Sequence, residues 1–145
     1  MEGVNSRLDG LQAAILSAKL PHIDTWTEQR RDKAMHYDAL LSRVGEVVTP
    51  KVRPGSVHVF HVYCIRAQRR DALQVFLKER GIETARHYPV PLPFLKAYAY
   101  LGHKTSDFPV SYANSSRILS LPIFPELTDE MISHVAGNIK TFFTK

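Results

Sequence analysis

Two short segments hold the side chains best suited to chemistry. Asn5 and Arg7 lie in a polar stretch that turns at once into an apolar run, Leu8 to Leu20. The first turn of a helix offers unpaired backbone N–H groups and a partial positive charge, a seat for an anion such as phosphate. Asn adds a neutral donor there, and Arg a charged fork. The same Asn serves equally well as a simple helix cap, and spacing alone does not separate the two. The second segment is Arg86-His87-Tyr88-Pro89-Val90-Pro91-Leu92-Pro93. In an extended backbone His87 and Tyr88 point to opposite sides, and either could bind an oxygen-rich ligand. The alternative is that Tyr88 packs against a sheet and His87 is exposed.

Other chemistries find no support. The chain has 7 histidines, but none shows the helical pairing of a zinc protease, and the carboxylates nearby complete no metal site. Neither a Ser-His-Asp nor a Cys-His arrangement can be assigned, and there is no glycine-rich phosphate loop. Glu79 and Glu83 straddle Gly81 and do not share a helix face. The single cysteine, Cys64, cannot form an internal disulfide and is expected to be a buried, inert thiol. A formal net charge of +5 is compatible with anionic partners. The basic residues are scattered, however, and no nucleic-acid-binding motif accompanies them, so a solvated basic surface is expected rather than a nucleic-acid interface. No apolar run approaches the roughly 18 residues of a membrane span, and no secretory leader is recognised. The expectation is a soluble, cytoplasmic protein without a membrane partner.

The elements that must position these residues follow from patterning. At 145 residues the chain makes one domain, with a helical appendage at most. Asn5 or Ser6 caps a first helix with Leu8, Leu11, Ile15 and Ala18 at helical spacing, and Pro21 ends or kinks it. A second helix carries Ile23, Trp26, Ala34, Tyr37 and Leu41 on one face. Arg30 interrupts that face, its methylenes packing and its head reaching out, and Gly45 closes the helix. Val47-Val48-Thr49 reads as a short strand. Val57 to Ala67 reads as a long central strand covered on both faces. Asp71 caps a helix running through Arg80, with Leu73, Phe76 and Leu77 inward and Gly81 in the left-handed terminal position. Ile82 to Ala85 restarts a strand. Prolines 89, 91 and 93 stiffen an extended loop. Phe94 to Leu101 is a short helix stopped by Gly102, and Pro109 opens another that runs to about Ile118. Thr128 caps the last helix, with Leu127 and Ile132 at staple spacing and Met131, Val135, Ile139 and Phe142 or Phe143 as its buried stripe. The fold class expected is α+β: a small, mainly antiparallel sheet flanked by helices, with a helical N-terminal arm. The arm spans 1–44 and the small domain 45–145.

With these residues in hand, the chain resembles the C-terminal part of the DegT/DnrJ/EryC1/StrS aminotransferases. The resemblance runs through Gly3 to Arg31, His58-Val59-Phe60-His61-Val62-Tyr63, Arg86 to Leu92, Phe108-Pro109-Val110 and Ile118 to Pro125, in order and over nearly the whole chain. It implies the C-terminal domain of a fold-type I enzyme that uses pyridoxal phosphate (PLP) to aminate nucleotide-linked keto-sugars, with sites built at a dimer interface. Asn5 then matches an asparagine that reaches the cofactor phosphate of the partner subunit. Arg7 matches the arginine two residues on, and His87 and Tyr88 match a loop bordering the sugar. Pro93 and Ser111-Tyr112 depart from residues usual in the family.

The resemblance also implies that the chain begins within the parent enzyme. The Schiff-base lysine, the pyridinium partner and the ring-stacking aromatic lie upstream of the matched part. None of Lys19, Lys33, Lys51, Lys78, Lys96 or Lys104 sits in a lysine-like motif. The isolated chain is therefore expected to hold no PLP, to lack transaminase activity and to self-associate through its exposed first helix. A stand-alone, non-catalytic binding or dimerisation module is the alternative.

Overall fold

The computed structural model describes residues 7–144; Asn5 and Ser6 lie outside the described residues. Eight regular elements follow one another: α1 (Gly10–Lys19), α2 (Ile23–Leu41), β1 (Val47–Val48), β2 (Tyr63–Ala67), α3 (Arg70–Lys78), α4 (Pro109–Ser115), β3 (Ile118–Leu121) and α5 (Asp129–Thr144). The strands form one sheet in the order β1-β2-β3, antiparallel throughout. Val47 pairs with Ala67, and Tyr63 pairs with Leu121. This is the α+β arrangement expected, with β2 central.

The core lies between the sheet and the helices α2, α3 and α5. Alternation along β2 sends Tyr63, Ile65 and Ala67 into it, and Arg66 stays exposed. Only one face of β2 is therefore fully covered, not two. Leu73 and Leu77 come from α3, and Ala34, Tyr37 and Leu41 from α2. The α5 helix contributes Ile132, Val135, Ala136, Ile139 and Phe142. Thr128 Oγ1 accepts the Met131 N–H at 3.3 Å, and Leu127 and Ile132 are both buried, as a capped and stapled start requires. Met131 is 50% exposed and drops out of the expected stripe.

Several boundaries differ from those expected, each for a local reason. The β2 strand begins at Tyr63 rather than Val57, because Phe60 adopts a left-handed φ of 46° and its N–H turns back to His58 Nδ1 at 2.9 Å. Asp71 is not the cap of α3. It sits inside the first turn and pairs with Arg70 at 2.8 Å and Arg86 at 3.8 Å. The α3 helix ends in a Schellman turn, Gly81 N–H to Lys78 O and Ile82 N–H to Leu77 O, with Gly81 at φ 72°. Beyond it, Ile82 to Ala85 keeps only a bridge from Ala85 to Ser120. The α2 helix stops at Leu41, short of Gly45.

The first helix is capped by Asp9, not by Asn5 or Ser6. Asp9 Oδ1 accepts the Gln12 N–H at 2.7 Å, and Gln12 Oε1 accepts the Asp9 N–H at 3.2 Å. None of the α1 residues is buried. Pro21 marks the junction to α2 through a 3-10 turn, Leu20–His22.

The α2 and α5 helices are also joined at the surface. Asp129 pairs with His36 Nδ1 at 3.0 Å and lies 3.7 Å from Lys33 Nζ. The hydrogen bond from His36, then the Lys33 charge, hold the Asp129 carboxyl below its usual range. A carboxyl held lower in the folded state adds stability above its ordinary titration range. That stability is lost as pH falls through the depressed folded value. Asp129→Asn should therefore flatten the acid limb of a stability–pH curve measured by urea unfolding, and an unchanged limb would show the pair contributes nothing.

Candidate functional site

His87 and Ser120 form the centre of the site. Ser120 is buried on β3, fixed by mutual backbone bonds with Ala85, Ser120 N–H to Ala85 O at 2.7 Å and Ala85 N–H to Ser120 O at 3.1 Å. Its Oγ lies 2.9 Å from His87 Nδ1, so the proline-stiffened loop is tied to the sheet two residues after the bridge. Tyr88 sits edge-on to the His87 ring, with centroids 5.6 Å apart, and is 73% exposed. The sheet contact thus belongs to His87 rather than Tyr88, and the tyrosine hydroxyl remains free to meet a ligand.

The His87 ring stands between two hollows. One, of about 280 Å³, is walled by His61, Val62, Glu83, Thr84, Ser120 and Ile123. Thr84 Oγ1 is buried at its wall and has no partner among the described residues, so a hydrogen-bonding capacity is left unmet there. The other, of about 270 Å³, lies between His87-Tyr88 and the Ser111, Asn114 and Ser115 side of α4. The pair offers imidazole, hydroxyl, carboxylate and amide groups around an open space. Such a set can donate hydrogen bonds to, and accept them from, a polar ligand. No group of three or more His, Cys, Asp or Glu side chains able to hold a metal ion occurs among the described residues.

Two loops line the first hollow together with His87, and α2 grips both. Arg30 Nη1 donates to Ile123 O at 2.8 Å and His61 O at 3.3 Å, with Phe60 O at 3.5 Å. Tyr37 OH donates to Pro122 O at 3.0 Å. The Arg30 head therefore turns inward onto carbonyls instead of reaching out. The left-handed backbone of Phe60, a bulky residue, costs on the order of 1–2 kcal/mol and persists only where its surroundings hold it. Sequence reasoning missed His61, Thr84 and Ser120. The signals it had for this wall were an arginine on an otherwise apolar helix face and two segments of the family resemblance, His58 to Tyr63 and Ile118 to Pro125.

The N-terminal candidates stand apart from this centre. Arg7 is exposed ahead of α1 and shares no hydrogen bond or ion pair with His87 or Tyr88 among the described residues. The start of α1, expected as an open anion seat, already holds the Asp9 carboxylate on one of its N–H groups. The described residues therefore do not by themselves form a phosphate cradle there. Among them, no helix is long and apolar enough to cross a membrane.

Comparison with known proteins gives this geometry a family. The model of the DegT/DnrJ/EryC1/StrS aminotransferase family matches residues 1–140. A "pleiotropic regulatory protein" of Geobacillus stearothermophilus is 52% identical over 97% of the chain and 38% of its own length. A dTDP-3-amino-3,6-dideoxy-alpha-D-galactopyranose transaminase of Aneurinibacillus thermoaerophilus is 37% identical, again over 97% of the chain and 38% of its own length. The S. venezuelae protein DesV, solved in complex with a ketimine intermediate, superposes with a TM-score of 0.91 at 34% identity, covering 100% of this chain and 39% of that one. The chain thus spans well under half the length of the proteins it matches. On the strength of the family match and these relatives, it belongs to the DegT/DnrJ/EryC1/StrS aminotransferases.

Proposed function

We propose that the chain is the C-terminal part of a PLP-dependent aminotransferase that aminates a nucleotide-linked keto-sugar. The observation that carries this reading is the family match combined with the polar hollows around His87. The transaminase relative acts on a nucleotide sugar by its name, and His61, Glu83 and His87 on one hollow and Tyr88, Ser111 and Asn114 on the other are hydrogen-bonding groups suited to a sugar. In this reading His87 and Tyr88 face the sugar. Asn5 and Arg7 contribute to the phosphate side of a cofactor held mainly by the rest of the enzyme. PLP when bound supplies the aldehyde that carries the amino group. Residues 1–44 act as an arm and 45–145 as the domain that closes the sugar side. The exposed apolar side chains of α1, Leu11 and Ile15 among them, face another part of the assembly or a second copy.

The test uses the whole protein, supplied with PLP, an amino-acid donor such as glutamate and a panel of nucleotide keto-sugars. Amination of one of them is expected. Asn5→Ala is expected to weaken PLP binding about tenfold or more, the scale of one lost hydrogen bond to a charged group. Unchanged PLP affinity in that variant would remove Asn5 from the cradle. The 145-residue chain alone is expected to give no product in the same assay. Absence of amination by the whole protein would favour a non-catalytic binding role.

A further inference from the structure

Arg30 has features that a helix-surface arginine lacks. It lies on the inner side of α2 and is half-buried, and it takes part in none of the ion pairs of the described residues. Its Nη1 is spent on backbone carbonyls from two loops, Phe60-His61 and Ile123. The first loop contains the left-handed Phe60, whose N–H is held by His58 Nδ1 at 2.9 Å. Phe60 is thus gripped on its N–H side by His58 and on its carbonyl side by Arg30, with its ring buried beside Tyr63. Strained backbone held from both sides is a mark of sites where geometry matters. The two loops then continue as His61-Val62 and Pro122-Ile123, which line the same hollow as His87 and Ser120.

We propose that Arg30 is a positioning residue of the sugar site: it locks the Phe60–His61 turn against Pro122–Ile123, so that His61 stands at the wall of the hollow beside His87. The inference rests on the assignment of that hollow to the sugar. Arg30 acts only through the backbone it holds. A guanidinium is suited to the task, because it presents several donors in a rigid plane and remains charged at any working pH. Lysine presents three rotatable donors on a compact ammonium with no fixed plane, so it is expected to hold the two loops less rigidly.

The experiment compares Arg30→Met, Arg30→Lys and the remote core variant Leu77→Ala in the whole protein. Amide exchange is read at Phe60, and KM and kcat are read for the nucleotide keto-sugar. Arg30→Met is expected to speed exchange at Phe60, whose N–H is held by His58 Nδ1, at least about tenfold beyond any global change. It is also expected to raise the sugar KM about tenfold, about 1.4 kcal/mol, with kcat changed much less. Arg30→Lys should fall between wild type and Arg30→Met, and it carries the test if Arg30→Met does not fold. Leu77→Ala should lower the unfolding midpoint without altering the sugar KM. Unchanged loop exchange would overturn the proposal, and so would faster exchange with an unchanged KM, or an equal KM rise in Leu77→Ala. A wild-type protein that aminates no nucleotide keto-sugar defeats the functional reading itself and this inference with it, which distinguishes that failure from the others.

Discussion

Tyr63→Ala is expected to cost about 3–5 kcal/mol of folding stability, the scale of large aromatic deletions from a packed core. Tyr63 is fully buried at the start of β2, and three neighbours depend on it. Its ring stacks on Tyr37 at 5.0 Å and lies 6.1 Å from Phe60, and its hydroxyl donates to Asp38 at 2.6 Å. Removing the ring opens a cavity where the sheet meets α2 and leaves Asp38 without that donor. Burial, with Asp38 adding to it, pushes the Tyr63 hydroxyl well above its usual range, so it remains a neutral donor into alkaline solution. Against a typical domain stability of about 5–15 kcal/mol, the loss is a large share. Tyr63→Phe keeps the ring and loses only the hydrogen bond to the Asp38 carboxylate, for about 1.5–3 kcal/mol. Urea unfolding of both variants measures the difference. A loss below about 1 kcal/mol for Tyr63→Ala would mean that the tyrosine pair does not join α2 to the sheet.

That core was legible in the sequence to the extent that periodicity alone defines it. The α5 helix was readable from Thr128, the Leu127–Ile132 spacing and the Val135-Ile139-Phe142 stripe, because its burial comes from one continuous face. The Pro21 junction and the Gly81 terminus were readable because each rests on one backbone restriction. What failed depended on tertiary contacts. Alternation from Val57 to Ala67 suggested one strand, yet a left-handed residue at Phe60 interrupts it, and nothing in the local pattern marks where a bulky side chain will take that conformation. Asp71 looked like a cap, but the buried Arg70 and nearby Arg86 draw its carboxylate. Asp9 captured the first helix through Gln12, although Asn5 and Ser6 were equally plausible caps by type. The site divided in the same way. His87 and Tyr88 were visible because they precede a proline in a stiff loop. Ser120 and Thr84 were hidden, because a hydroxyl in an apolar run becomes a site residue only when another segment is folded against it.

His87→Ala in the whole protein is expected to lower kcat/KM for the keto-sugar about 10- to 100-fold, the kinetic equivalent of about 1.5–3 kcal/mol for a hydrogen bond involving a charged or strongly polar group. His87 lines both hollows and is held by Ser120 Oγ at 2.9 Å, so its loss alters both walls together. Ser120→Ala leaves the ring in place but unanchored, and a smaller loss is expected, because the Tyr88 edge contact and the proline-stiffened loop still restrict it. A single turnover of the amino donor in the absence of sugar, one equivalent per bound PLP, separates the two ways His87 could matter. If His87 faces the sugar, His87→Ala uses the donor at the wild-type rate and fails only when the sugar must be aminated. If His87 merely holds the loop, both halves of the reaction decline in step with stability, and restoring stability with a compatible core substitution restores both. Equal loss in the two halves, matched by the unfolding midpoint, would move His87 from the site to the scaffold and leave Tyr88, with its exposed hydroxyl, as the loop's contact to the ligand.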